Sequence, residues 1–190
     1  MKKVGALIFT VGLLYTPWIG AKGMAVTGLK QTSSVVAIGF SVDEAVPGTF
    51  AQASVDLNLS PLDREVFVVL AINLDPFNPE CIVGINTKTS ASLTTTSQTA
   101  VQNLSNSNCL SAMTNAIRSS ATTSVGLQSQ AGETPPATLE YIGIIATNDF
   151  FVQVQGTGNI GVTGCDGKLY GYRARADASI FAALVQSEVL

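Results

Sequence analysis

Acidic residues supply the first candidates for chemistry in this sequence. Asp63 and Glu65 would share one face of a strand, as the paired carboxylates of a glycosidase flank the bond they cleave. The simpler interpretation is a solvated loop that enters a strand beside Arg64. Asp75 and Glu80 flank a proline-rich turn, but calcium needs several oxygen ligands in a tight loop, and the spacing matches no such loop.

The other residue types that usually carry catalysis or bind metals are scarce. The sequence has no histidine, which removes the commonest general base, nucleophile partner and transition-metal ligand. Cys81, Cys109 and Cys165 lack CxxC spacing, and their odd number argues against a disulfide framework. Three buried free thiols are expected, with one Cys81–Cys109 or Cys109–Cys165 bridge as the alternative. We therefore predict that the chain is not an enzyme and binds no cofactor and no metal.

The composition points to surfaces that are covered by something other than water. Hydrophobic residues make up 46% of the 190 residues and charged residues only 12%, about half of the usual charged share. A membrane or a lattice of partners would cover such a surface. The formal net charge is −3, and no basic footprint is present to displace counterions from phosphates, so direct nucleic-acid binding is not expected.

The N-terminus has three interpretations. Two lysines precede an apolar stretch, residues 4–21, in the layout of a secretory signal peptide. As a membrane span the stretch is marginal in length and contains Pro17. Alternatively Met24 is the true start, and residues 1–23 are an extension of the reading frame. We expect a single β-rich domain over residues 24–190, with membrane contact only if residues 1–23 are retained.

Most of that domain has the pattern of β-strands. Asp56 and Asn58 alternate with apolar residues, as in a half-buried strand, and residues 65–74 are apolar nearly throughout, as in a central strand. Asp166-Gly167 is a strong hairpin signal. The predicted strands are Ser33–Phe40, Ala53–Leu59, Glu65–Leu74, Thr138–Thr147, Asp149–Gln155 and Lys168–Ala176.

The middle of the chain, residues 78–140, has no aromatic residue and few charges. Ser, Thr, Asn and Gln dominate it, which is typical of a disordered linker, but recurring Leu, Val, Met and Ile residues favour an ordered, uncharged surface for close contact with neighbours. A short helix is predicted after Asn108, because Leu110, Met113 and Ile117 follow at helical spacing.

The C-terminal part combines a strand with an amphipathic helix. Tyr170 and Tyr172 are predicted on one face of the strand, and Arg173 and Arg175 on the other, where they meet acids of a neighbouring copy or serve as ordinary strand-edge charges. Asp177 is the expected N-cap of the helix. The helix has an apolar stripe that either covers its own sheet or docks on a second copy, formed by Ile180, Phe181, Leu184, Val185 and Val189.

Together these patterns predict a mainly β fold. We expect an antiparallel β-sandwich or a single jelly-roll-like domain, with a short internal helix and a C-terminal amphipathic helix. The candidate subunit contacts are Ile180, Phe181, Leu184, Val185, Arg173 and Arg175.

Several segments resemble a family of short proteins found in marine viral metagenomes. The resemblance runs from Met24 to the C-terminus and implies a virion component that begins at Met24, with residues 1–23 as a departure from the family pattern. It assigns no catalytic residue. The segments that carry it are MAVTGLKQTSSVVAI, PLDREVFVVLAINLD, SLTTTSQTAVQNLSNSNCL, LEYIGIIATNDFFVQVQG and KLYGYRARADASIFAALVQSE.

Two functions follow as hypotheses. The first is a coat or capsid-associated subunit in the virion, which self-assembles as a homo-oligomer or lattice and also contacts other virion proteins. The second is a secreted or cell-surface subunit, such as an adhesin or pilus-like protein, exported by the N-terminal segment. An enzyme that uses paired carboxylates is a distant third.

Overall fold

A computed structural model describes residues 28–130 and 140–189, so the segment 1–23 and the alternative start Met24 lie outside the described residues. None of the helices described there is long and apolar enough to cross a bilayer. A single turn of 3-10 helix, Pro61–Asp63, precedes the fourth strand. The elements are β1 (Leu29–Gln31), β2 (Val36–Asp43), β3 (Ala51–Asp56), β4 (Glu65–Pro76), β5 (Thr87–Thr94), β6 (Cys109–Ser119), β7 (Ser124–Gln130), β8 (Gly143–Ile145), β9 (Asp149–Thr157), β10 (Gly164–Ala176) and α1 (Ala178–Val189).

The strands pair as one long hairpin that is rolled into two sheets. The innermost antiparallel pair is β5–β6, and outward from it follow β4–β8, β3–β9 and β2–β10. Rolling adds the pairs β10–β4 and β9–β5. The result is one sheet in which β1 and β2 both pair with β10, followed by β4 and β8, and a second sheet in the order β3-β9-β5-β6-β7. These eight nested strands form a jelly roll, to which β1 and β7 are additions.

The core lies between the two sheets. Along β4, Phe67 and Val69 face the second sheet, whereas Val66 and Val68 face outward. The rings of Phe40 and Phe150 meet edge to face, with centroids 5.8 Å apart. The remaining large apolar side chains of this core are Val42, Leu57, Leu59, Ile72, Leu74, Leu93, Met113, Ile145, Val152, Val154 and Leu169.

Helix α1 covers the outward face of the first sheet. Its stripe packs against Val66 and Val68 of β4 and three alanines of the neighbouring segments, through Ile180, Phe181, Leu184 and Val185. Asp177 lies immediately before the first helical residue, and its carbonyl accepts the Phe181 N–H at 2.9 Å. The predicted helix is therefore confirmed, and it covers its own sheet. The side chain of Val189 lies outside what the structure describes.

The charge-poor middle of the chain is ordered over its described part, and its polar groups bond to one another and to neighbouring strands. The Gln153 amide group donates to Thr94 Oγ1 at 2.6 Å and accepts from Ser92 Oγ at 2.8 Å. The β5–β6 connection crosses this face of the second sheet, where the Gln102 N–H donates to Ser92 Oγ at 3.0 Å. The chain thus covers part of its own uncharged surface.

The predicted helix after Asn108 is wrong, because residues 109–119 form β6. Leu110, Met113 and Ile117 do fit a helical spacing, but burial in the structure follows period two, with Ser111, Met113 and Asn115 facing inward. Two of these three buried residues are polar. A pattern that considers only large apolar residues therefore misses the alternation.

The predicted hairpin at Asp166-Gly167 is also wrong. Both residues lie inside β10, where Asp166 is opposite Asp75 of β4 and Ser41 of β2. The chain reverses instead at residues 158–163, where Gly158 has a φ of +76°. β9 continues through Thr157, and the reversal follows it directly.

The strands predicted from apolar periodicity are largely present, with shifted ends. β4, β9 and β10 confirm the predicted strands at these positions, and β2 and β3 are displaced by two or three residues. Tyr172 lies on the face of β10 that packs against α1, and Arg173, one residue further along the strand, lies on the opposite face, as predicted. Of the predicted strand Thr138–Thr147, only Gly143–Ile145 is a strand, and residues 138–139 lie outside the described part.

Candidate functional site

The paired carboxylates Asp63 and Glu65 hold a turn together. Asp63 accepts the Ser60 hydroxyl at 2.9 Å, and Glu65 accepts the Ser60 N–H at 3.1 Å. The other oxygen of Asp63 lies 3.2 Å from Nη2 of Arg175, and both side chains are about half exposed. The two carboxylates therefore face the same backbone turn.

The second acidic pair does not form a cation site. Glu80 accepts two backbone N–H groups, from Ile160 at 2.7 Å and Gly161 at 3.1 Å, whereas Asp75 lies on the exposed face of β4. Within residues 28–130 and 140–189, no three side chains of Cys, Asp or Glu lie close enough to hold a metal ion.

The two arginines predicted as subunit contacts find partners inside the chain. Arg173 donates from Nη2 to the Leu57 carbonyl at 2.8 Å, and Arg175 pairs with Asp63. The Arg175–Asp63 pair is the one salt bridge among the residues that the structure describes. A contact of either arginine, or of the α1 stripe, with a second copy stays a prediction.

The three cysteines are free thiols, and no disulfide links them. Cys109 and Cys165 are buried, and burial raises the pKa of Cys109 and raises that of Cys165 to about 12. Cys81 is exposed, which corrects the expectation that all three are buried. It lies in the β4–β5 connection, where Val83 and Ile85 are also exposed, so an apolar residue type does not predict burial there.

Three connections meet at one end of the sandwich and expose apolar side chains there. They are residues 44–50, 77–86 and 158–163, which we call the apolar end. Surface loops are usually polar, but these three contain only two charged residues, Glu44 and Glu80. The large hydrophobic side chains exposed at the apolar end are Val46, Phe77, Val83, Ile85, Ile160 and Val162.

Glu44 fixes one half of the apolar end. Its side chain is buried, and its carboxylate accepts the N–H groups of Gly156, Gly48 and Thr163 at 2.6, 3.3 and 3.2 Å. Its own N–H donates to the Thr163 carbonyl at 2.9 Å. A buried carboxylate is costly unless it is hydrogen-bonded, and these three donors offset that cost. The β2–β3 connection is thereby fixed to the β9–β10 connection.

Glu80 fixes the other half. Its carboxylate binds residues of the β9–β10 connection, and its N–H donates to Oδ1 of Asn159 at 3.1 Å. The Phe77 N–H also donates to the Gly164 carbonyl at 2.8 Å. The Glu44 carboxylate is buried and that of Glu80 accepts backbone N–H groups, so the surface is preorganised, and Glu80 is its one exposed charged residue. Such a surface suits contact with another protein.

Comparisons with known proteins give little further guidance. No family model matches the chain, and no curated protein is similar to it. A chain in the solved structure of Desmodium yellow mottle tymovirus is 14% identical and covers 94% of this chain and 99% of its own length, with a TM-score of 0.32. At this overlap the likeness supports no conclusion about function.

Proposed function

We propose that this chain is a non-catalytic structural subunit of a virus particle, a coat or capsid-associated protein that acts by self-assembly. The jelly roll alone does not decide this, because the same fold serves capsid, lectin and cupin domains. The observation that carries the proposal is the apolar end. It is a surface of three connections with exposed apolar side chains, and the carboxylates of Glu44 and Glu80 hold it in place by accepting backbone N–H groups. The resemblance to virion proteins from marine viral metagenomes agrees with it.

The chemistry of the apolar end favours a second copy of the same chain as its partner. Contact between identical surfaces brings identical charges together, which is unfavourable, and the apolar end exposes a single charged side chain, Glu80, whose carboxylate is bonded to backbone N–H groups. Ile160, Val83 and Val162 would lose water in such a contact, and burial of apolar area is its main driving force. The carboxylate bonds of Glu44 and Glu80 limit the conformational entropy that association costs.

The proposal implies a location in the virion and partners that are mainly copies of this chain. Direct contact with nucleic acid is not part of it, because the net charge is −3. The export of a cell-surface subunit by residues 1–23 is the competing function. Mass spectrometry of the N-terminus of protein made in its natural setting separates the two, since a cleaved signal favours export and a start at Met24 favours the virion.

Ile160→Asp tests the role of the apolar end in self-assembly. Ile160 is 77% exposed, so the change leaves the core intact and should lower the free energy of unfolding by no more than about 1 kcal/mol, even though the new carboxylate lies near that of Glu80. It places one unpaired charge per copy in the contact. Electron microscopy and mass photometry of the purified full-length chain should show large regular assemblies for the wild type and none for this variant.

Leu62→Asp is the matched control. Leu62 is 97% exposed and lies in the β3–β4 connection, at the opposite end of the sandwich. This variant should assemble as the wild type does. A wild-type chain that remains monomeric at all concentrations contradicts the proposed function, and equal loss of assembly in both variants contradicts the role of the apolar end.

A further inference from the structure

We propose that two copies of this chain join through their β7 strands, in antiparallel pairing about a two-fold axis at Leu127. The inference deepens the proposed function, because it names a second contact between subunits, but it has separate evidence. β7 is one of the two strands outside the eight-stranded jelly roll. It pairs with β6 on one side, and no described strand pairs with its other side.

β7 lacks the features that protect an edge strand from pairing with another chain. Natural sheets protect such edges with Lys, Pro, bulges or short length. β7 is seven residues long, its sequence SVGLQSQ has neither charge nor proline, and its register with β6 is regular. Residues 124–129 are all exposed, including the large apolar side chains of Val125 and Leu127.

The other sheet edges differ from β7 in this respect. β1 and β8 are only three residues long. β2 is eight residues long and exposes Val36 at 39%, but it buries Phe40 and Val42 in the core and ends in the charged Asp43, and β3 packs Val55 against the core and ends in Asp56. β7 thus combines a long, unprotected edge with large apolar side chains that the described part of the chain leaves uncovered. Addition of a strand would use both the backbone groups and the side chains.

A second β7 fits this edge better than a charged partner strand would. Antiparallel pairing centred on Leu127 places this leucine opposite its own copy, Val125 opposite Ser129, and Gly126 opposite Gln128. Directly opposed side chains have Cβ atoms about 4.5–5.5 Å apart, so the two leucines would be in contact. No like charges meet, because β7 has none. The contact is isologous, as two-fold dimers require.

Charges of opposite sign, introduced separately at Leu127, test the pairing. Sedimentation velocity is run on full-length chains in the Ile160→Asp background, so that dimers are observed without larger assemblies. The parent should be a dimer. Leu127→Lys and Leu127→Glu should each raise the dimer dissociation constant by about tenfold or more, since like charges meet at the axis. An equimolar mixture of the two variants should restore the dimer.

Leu104→Lys is the control, because Leu104 is the same residue type at 57% exposure, against 52% for Leu127, and lies outside β7. It should leave the dimer unchanged. A monomeric parent, failure of the mixture to restore the dimer, or insensitivity to Leu127→Lys overturns the inference. Dimers that depend on Leu127 in a wild-type chain that forms no particle would leave it standing and contradict only the proposed function.

Discussion

Three carboxylates, those of Glu44 and Glu188 buried and that of Glu80 exposed, act as connectors between distant segments. Glu44 and Glu80 tie the connections of the apolar end, and Glu188 ties α1 to the other end of the sandwich, where it accepts the N–H groups of Ala146 and Thr147, both at 2.9 Å. A carboxylate can accept several hydrogen bonds at once and donates none when ionised. These acidic residues therefore stabilise the fold. A search for catalytic residues would consider such carboxylates first, but here they accept hydrogen bonds from the backbone.

The Glu188 carboxyl should make the stability of the chain depend on pH. Burial raises its pKa above the ordinary value of 4.5, and the bonds from Ala146 and Thr147 only partly oppose this. Because the folded-state pKa lies above the unfolded one, the contribution of Glu188 to the free energy of unfolding is complete below the unfolded pKa. It is lost as pH rises through the folded pKa.

Glu188→Gln removes this titration while it keeps one acceptor. Chemical denaturation of both proteins from pH about 4 to about 7 should show that the advantage of the wild type over the variant decreases as pH rises. An advantage that is constant or increases with pH would contradict the assigned pKa direction.

At the scale of elements, β10 is the strand on which the first sheet depends. It pairs with β1 and β2 on one side and with β4 on the other. Two of its glycines face the core and lie beneath aromatic rings. A Cβ at Gly167 would meet Phe40 at 2.5 Å, and a Cβ at Gly171 would meet the Phe67 ring and the Val68 carbonyl. The absence of side chains there allows both rings to lie across the strand.

Gly171→Ala should therefore destabilise the fold. The added methyl group meets backbone that cannot move independently of the sheet, and overpacking of this kind costs about 1–3 kcal/mol. Gly39→Ala, in the neighbouring strand β2, is the control, because its nearest atom would be the Gly167 carbonyl oxygen at 4.0 Å. Guanidinium unfolding curves should separate the two variants, and equal midpoints would contradict the packing argument.

The sequence predicts those elements whose apolar pattern is determined by the core. β4, β9, β10 and α1 each bury a continuous run or a regular stripe, so periodicity finds them. β5 was not predicted, because its buried residues include Thr87, Thr89, Ser92 and Thr94, and β6 was misread as a helix for the related reason that polar residues fill its inward positions. A buried hydroxyl usually needs a hydrogen-bond partner, as Thr89 has in Thr163, and local sequence does not identify that partner.

At the scale of the whole molecule, the nested pairing creates the apolar end. Strand pairs such as β2–β10 join Asp43 to Gly164, and they bring three connections together that are far apart in the sequence. Each connection alone resembles an ordinary turn with glycine or proline. The composition predicts that some surface of the chain is poor in charge, but it does not predict the position of that surface, because the position depends on long-range strand pairing.

The thiol of Cys81 offers a direct measure of whether the apolar end is covered. The thiolate is the reactive form of cysteine, and burial keeps Cys109 and Cys165 protonated, with raised pKa values. Cys81 is exposed within the apolar end. In unassembled wild-type chains, a thiol reagent followed by mass spectrometry should therefore modify Cys81 first, and the other two thiols only after denaturation.

Assembly through the apolar end should slow the reaction of Cys81, because neighbouring copies exclude the reagent from this surface. The labelling rate of free subunits should return when assemblies are dissociated. Cys81→Ser should abolish fast labelling in assemblies and in free subunits alike. The assembly-deficient Ile160→Asp variant should react at the rate of the free subunit at every protein concentration. Labelling of Cys81 that is equally fast in assemblies and in free subunits would show that copies meet elsewhere on the molecule, and the apolar end would then need a different partner.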